Sequence, residues 1–166
     1  MLGLPLVKFI VCFILNHEVA IIYEKQRQSG RSRLVGFQQA LSEADILLEH
    51  DTRCMVSEAK EAAKKLFSLP KKPTAIFAVT DLIAIVLINE ARSADIKVPG
   101  DLSVIGFDNT IYAKIADSRL TTIEQPIIEM VNYSFDQLLH PLELLTRILL
   151  EPTLIERGSV QKNINK

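Results

Sequence analysis

The sequence lacks an excess of charge of either sign: 19 Lys and Arg stand against 20 Asp and Glu, for a net charge of −1. Global electrostatic attraction to nucleic acid or to an anionic membrane is thereby excluded. No Lys/Arg run or helix-turn-helix pattern supplies a local substitute. Cysteine is scarce: Cys12 and Cys54 are the only two. They have no metal-ligand spacing, and one disulfide between them stays arithmetically open. Two lone thiols point to a cytoplasmic setting. The three histidines, His17, His50 and His140, lie far apart, so zinc spacings are missing and no metal is expected. There is no Gly-rich phosphate loop, no nucleophile elbow and no nucleophile–base pair; neither catalytic residues nor a cofactor are expected. A membrane-spanning run is missing too. Leu2 to Leu15 is apolar apart from Pro5 and Lys8, but about 14 residues fall short of the ~20 a bilayer requires. A secretory signal needs a basic start and a small-residue cleavage site. Here Lys8 sits inside the run and Asn16-His17-Glu18 follows it. The stretch is expected to be a buried helix, Pro5 to Leu15.

What is present is apolar material: 48% of the 166 residues are hydrophobic, enough for a core in one domain of ordinary size. Val19 to Tyr23 is a short β-branched run and predicts a buried strand. Glu24 to Ser32 is polar, contains Gly30, and predicts a loop. Arg33 to Ala44 has helical periodicity through Leu34, Phe37 and Leu41. Ile46 to Leu48 predicts a second strand. Ser57 to Leu69 predicts a helix capped by Ser57 and stopped by Pro70. Strands follow at Thr74 to Val79 and Leu102 to Phe107, with a helix from Leu82 to Ala94 between them. Pro99-Gly100-Asp101 predicts a turn in which glycine takes positive φ. Leu120 to Ile123 is extended, Pro126 opens a helix to Leu139, and Arg147 to Arg157 is extended, with Pro152 marking an edge or a break. The alternation predicts an α/β fold: a mainly parallel sheet with helices on both faces.

Open parallel sheets bind ligands outside the carboxyl ends of their strands. Thr80 and Asp81 follow one predicted strand, Asp108 and Asn109 another, and Arg33 opens the helix after the first. One guanidinium and two carboxylates then converge on one edge, suited to charge-assisted hydrogen bonds with a polyhydroxylated ligand. Plainer roles exist for each. Asp81 can serve only as an N-cap, Asp108 can close an Asx turn with Asn109, and Arg33 can be solvated or pair with Glu24. Two close carboxylates holding a cation would need a third oxygen ligand, and none has fitting spacing.

Three runs carry a family resemblance: Pro73-Thr74-Ala75-Ile76-Phe77-Ala78-Val79-Thr80-Asp81, then Val98-Pro99-Gly100-Asp101-Leu102-Ser103-Val104-Ile105-Gly106-Phe107-Asp108-Asn109, then Leu120-Thr121-Thr122-Ile123-Glu124-Gln125-Pro126. In order and separation they resemble LacI/GalR-family transcription regulators. Arg33-Leu34-Val35-Gly36-Phe37 with Ala40-Leu41 resembles that family's R-x-x-G-F-x-x-A-L helix, and Leu154 to Ser159 its final strand. The resemblance covers roughly Glu18 to Ser159. It implies a periplasmic-binding-protein-like (type I) lobe that closes with a second lobe on a small effector, often a sugar or nucleobase, and controls DNA binding by an attached head. It places Arg33, Asp81 and Asp108 where the family contacts its effector or lines the cleft, and Thr80 and Asn109 join them as candidates from the strand ends. Thr80 departs from the Asn many relatives carry, which puts sugar specificity in doubt. It also implies a homodimer, with Ile83, Ile85 and Val86 at the interface. The implied organisation is an apolar helix at 1–17 left from a preceding lobe, the effector-sensing lobe at 18–125, a helix of the other lobe at 126–146, the final strand at 147–159 and a tail at 160–166. DNA would be reached only through a head not found in these residues. A periplasmic sugar-binding protein on the same architecture is the alternative. Relatives of the regulator family place glycine where Asp45 and Asp95 end helices here, which predicts positive φ at both.

Overall fold

The computed structural model describes residues 18–24, 28–44, 46–116, 119–140 and 148–161. The N-terminal helix expected at Pro5 to Leu15, Asp45, and most of the tail lie outside these residues. Among the described residues six strands form one sheet in the order β2-β1-β3-β4-β5-β6. They are β1 (Val19–Tyr23), β2 (Leu48–Arg53), β3 (Ala75–Ala78), β4 (Ser103–Phe107), β5 (Thr121–Glu124) and β6 (Thr153–Ile155). The first five run parallel, and β6 returns antiparallel along β5 at the edge. Five helices accompany them among the described residues: α1 (Gln28–Glu43), α2 (Ala59–Phe67), α3 (Asp81–Ser93), α4 (Ile111–Ile115) and α5 (Ile127–Leu139). The mainly parallel α/β architecture expected from the alternation of elements is present.

The central strands are apolar because both faces are covered. β1, β3 and β4 are buried at every residue, as parallel strands between helices require. Phe37 of α1 meets Phe77 of β3 with ring centroids 5.0 Å apart. Ala84, Leu87 and Ala91 of α3 are wholly buried. Cys54 is a buried free thiol, and burial pushes its pKa up to about 11.

Several boundaries differ from the sequence expectation, each for a local reason. The Glu24 to Ser32 loop is shorter, because α1 begins at Gln28 and carries Gly30 inside it. A Cβ at Gly30 would strike the Glu24 carbonyl oxygen, so this glycine permits close approach and does not break the helix. The second strand lies at Leu48–Arg53 and not Ile46 to Leu48. Ser57 does not cap a helix. It falls inside a 3₁₀ turn, Val56–Glu58, whose Glu58 carboxylate accepts the Met55 N–H at 2.9 Å. Gly100 has no positive φ. The Val98–Pro99 peptide is cis, and Asp101 closes the turn by accepting the Lys97 N–H at 2.9 Å. Pro126 stands at the N-cap position of α5, and Pro152 immediately precedes the edge strand β6.

The end of α3 follows the expected pattern. Asp95 has φ 56°. Ile96 N–H donates to Ala91 O at 2.9 Å and Asp95 N–H to Arg92 O at 3.1 Å, the pair of bonds that defines a Schellman ending. At the end of α1, Ile46 N–H donates to Leu41 O at 2.9 Å, the equivalent outer bond.

Candidate functional site

The chain leaves β1 toward β2 on one side and returns to β3 on the other. This reversal opens a crevice at the carboxyl ends of β1 and β3, the general ligand position in such sheets. Arg33 projects into it from the second turn of α1. One guanidinium nitrogen donates to the Val79 carbonyl just beyond β3. The other donates to Asp108 Oδ1 at 3.2 Å. The guanidinium carbon lies 3.7 Å from the ring centroid of Phe107, the last residue of β4. Gln125, directly after β5, donates to the same Asp108 oxygen at 2.7 Å. Four elements thus fix one charged group: α1, β3, β4 and β5.

The electrostatics follow from partial burial. Desolvation lowers the Arg33 pKa, and the neighbouring Asp108 opposes that shift. Desolvation raises the Asp108 pKa, opposed by Arg33 and by the Gln125 hydrogen bond. A ligand that brings its own acceptors or donors can share this pair without first meeting a bare charge.

Beside the pair lies an open pocket of about 300 Å³, lined by Ser29, Ser32 and Arg33 of α1, by Phe107 and Gln125, and by apolar groups that include Met130 and Leu150. Arg33 is the one residue expected at the effector that lies on this wall. Asp108 stands behind Arg33 and Gln125. Thr80 is the N-cap of α3, its hydroxyl accepting the Ile83 N–H at 3.4 Å. Asn109 is engaged at both ends of its amide: Nδ2 donates to Glu124 at 2.7 Å, and Oδ1 accepts from Arg157. Asp81 neither caps α3 nor lines the pocket. It is the first residue of the helix and 0% exposed. Its carboxylate accepts the Thr110 N–H at 2.6 Å, the Thr110 hydroxyl at 2.9 Å, and the Thr122 hydroxyl. Ile83, expected at a dimer interface, is likewise 0% exposed and belongs to the core, while Ile85 and Val86 are half-buried.

Ser29, Ser32, Phe107 and Gln125 were not singled out in the sequence. Gln125 and Phe107 satisfy the strand-end rule that selected Asp108. The serines share a helical face with Arg33, a relation hidden when residues 24–32 are taken as a loop. Among the described residues no cluster of three His, Cys, Asp or Glu could hold a metal, and no helix is long and apolar enough to cross a membrane.

A mainly parallel sheet with a charged crevice at its switch point defines one lobe of a periplasmic-binding-protein-like ligand-sensing fold. The family model described as periplasmic binding protein-like domain matches residues 16–160. The chain belongs to that family, in the form that LacI/GalR-type transcription regulators carry as their C-terminal domain. It is 45% identical over 114 residues to the HTH-type transcriptional regulator DegA of Bacillus subtilis, a match covering 66% of this chain and 34% of that protein. It is 35% identical over 144 residues to the HTH-type transcriptional repressor PurR of Pectobacterium atrosepticum, covering 82% of this chain and 42% of the repressor. The chain therefore spans well under half the length of these relatives, which are regulators and not enzymes. Solved structures share the fold. The Lac repressor bound to ONPG superposes with TM-score 0.83 at 23% identity, covering 94% of this chain and 49% of the repressor. The transcriptional regulator CelR in complex with cellobiose superposes with TM-score 0.79 at 23% identity, covering 92% of this chain and 49% of the regulator.

Proposed function

We propose that this domain binds a small sugar-like effector at the Arg33 crevice and thereby controls DNA binding by a head that lies outside these residues. The observation that supports it is the Arg33–Asp108–Gln125 cluster beside the pocket, a charged and hydrogen-bonding set fixed by four elements and flanked by apolar groups. Small-molecule sites have this composition: a mostly apolar wall with a few placed polar groups. Arg33 and Gln125 meet the effector directly in this reading. Thr80, Asp108 and Asn109 shape the rim. The α5 helix belongs to a second lobe, whose closure over the pocket completes the enclosure. A homodimer forms through α3 and α4, where Leu82, Ile111, Tyr112 and Ile115 are exposed and Ile85 and Val86 are half-buried beside them.

NMR titration of the chain with monosaccharides, disaccharides and nucleobases tests the effector reading. The pocket is open, so the expected dissociation constant is weaker than ~1 mM, at least ~4 kcal/mol short of a micromolar site. Saturable shifts at Arg33, Phe107 and Gln125, lost in Arg33→Ala, are the expected result. Shifts from every compound that survive Arg33→Ala, or none from any, overturn it.

A further inference from the structure

The loop joining β4 to α4 is held in an unusual conformation. Asp108 has φ 107° and Asn109 φ 49°, both in the region that side-chain-bearing residues avoid. Two consecutive residues of this kind persist only where surrounding contacts over-determine them. The contacts are on hand, and they converge on Asp81. Its carboxylate accepts both the N–H and the hydroxyl of Thr110 and the hydroxyl of Thr122. The Thr122 hydroxyl in turn accepts the Asn109 N–H at 3.4 Å, and Asp108 N–H donates to Ile123 O at 2.8 Å. Gly106 makes room for this arrangement, since a Cβ there would collide with Asp81 Oδ1 and come within 2.8 Å of Leu120. The backbone N–H groups of Asp108, Asn109 and Thr110 are thus all held from α3 or β5.

We infer that Asp81 is a positioning residue of the effector site: it touches no ligand, but through Thr110 and Thr122 it holds the Asp108–Thr110 loop in the conformation that presents Asp108 to Arg33. The inference rests on the proposed effector reading only in taking Arg33 and Asp108 as groups that serve the effector. Thr110 is also the N-cap residue of α4. The same carboxylate therefore ties the crevice to the exposed apolar side chains of Ile111, Tyr112 and Ile115.

The test needs no ligand. Amide hydrogen exchange and the Arg33 guanidinium NMR signals are followed in the full 166-residue chain for Asp81→Asn, Thr122→Val and Thr122→Ser. Hydrogen bonds to a charged acceptor are the stronger kind. Exchange at Asn109 and Thr110 is therefore expected to rise about tenfold or more relative to Ile21 and Phe77 in Asp81→Asn and Thr122→Val. The Arg33 signals, no longer held by an aligned Asp108, broaden through faster rotation, and Thr122→Ser restores both. Unchanged loop exchange and unchanged Arg33 signals in the folded variants overturn the inference. So does a loss of protection shared equally by Ile21 and Phe77, the mark of a purely structural role. Should Asp81→Asn fail to fold, the Thr122 pair decides. A null sugar and nucleobase titration would sink the effector reading and leave this result untouched.

Discussion

At the residue scale, Asp108 carries two opposed effects. Burial raises its pKa above the ordinary 3.8 and the Arg33 charge pulls it down, with burial prevailing. A carboxyl whose folded pKa is raised holds its proton longer in the native state than in the unfolded chain. Its contribution to stability is therefore full below pH 3.8 and lost as pH rises through the folded value. Asp108→Asn removes the titration. Denaturant unfolding of both proteins across that window should show wild type losing stability relative to the variant as pH rises; a difference running the other way would contradict the burial account. Asp95 gives a second residue-scale outcome. At φ 56° it occupies the left-handed position that glycine takes without steric cost. Its charge also opposes the dipole at the α3 C-terminus. Asp95→Gly should stabilise by about 0.5–1 kcal/mol, the gain being trimmed by the looser unfolded chain. A lower melting midpoint in the variant would refute this. The positive φ was legible because the family that the sequence resembles places glycine at this helix end, where Asp95 stands. The role of Asp81 was not, because an aspartate after a strand and before a helix has the same local signature whether it caps, binds or latches. Only the threonines brought in from 29 and 41 residues away separate these roles.

Elements were legible in proportion to how far burial set their composition. β1 stands where its apolar run placed it, and β3 and β4 lie within the predicted spans, since strands covered on both faces leave an unbroken apolar signal. β2 stands at the end of the sheet, with sequence Leu-Glu-His-Asp-Thr-Arg; among the described residues no strand pairs with its outer side, polar side chains are tolerated there, and the signal fades. The five-residue α4 is too short to show periodicity. The end of the chain hid a further device. Beyond β6 the chain re-enters the sheet at Ser159, which is 0% exposed. Its carbonyl accepts Val104 N–H at 2.8 Å. Its hydroxyl donates to Val104 O at 2.6 Å and accepts Thr121 N–H at 2.8 Å. One residue thus bridges β4 and β5 just before their own pairing begins at Ile105 and Thr121. Ser159→Ala strands a buried donor and a buried acceptor, so urea denaturation should find a loss of roughly 1–3 kcal/mol. An unchanged midpoint would mean that water or a backbone shift replaces the hydroxyl.

At the scale of the whole molecule, the apolar surface divides into two parts with different consequences. No residue of α5 is buried, and Ile128 and Leu138 are each 77% exposed. On α3 and α4 the exposed side chains are Leu82, Ile111, Tyr112 and Ile115. Monomers seldom leave contiguous apolar patches of more than a few hundred Å² in water, so the chain should associate. The two surfaces should do so differently. Pairing of α3 and α4 with the same surface of a second copy closes after two subunits. An apolar helix face that meets whatever surface it finds does not close, and it produces larger species. Sedimentation of the wild-type chain should therefore show dimers accompanied by heavier material and by binding of a dye specific for apolar surface. Ile128→Lys with Leu138→Lys should remove the heavier species and most of the dye signal while leaving the dimer. Ile111→Lys with Ile115→Lys should remove the dimer. A clean monomer at high concentration with no dye binding would refute the association argument, and a dimer indifferent to the Ile111 and Ile115 changes would place its interface elsewhere on the molecule.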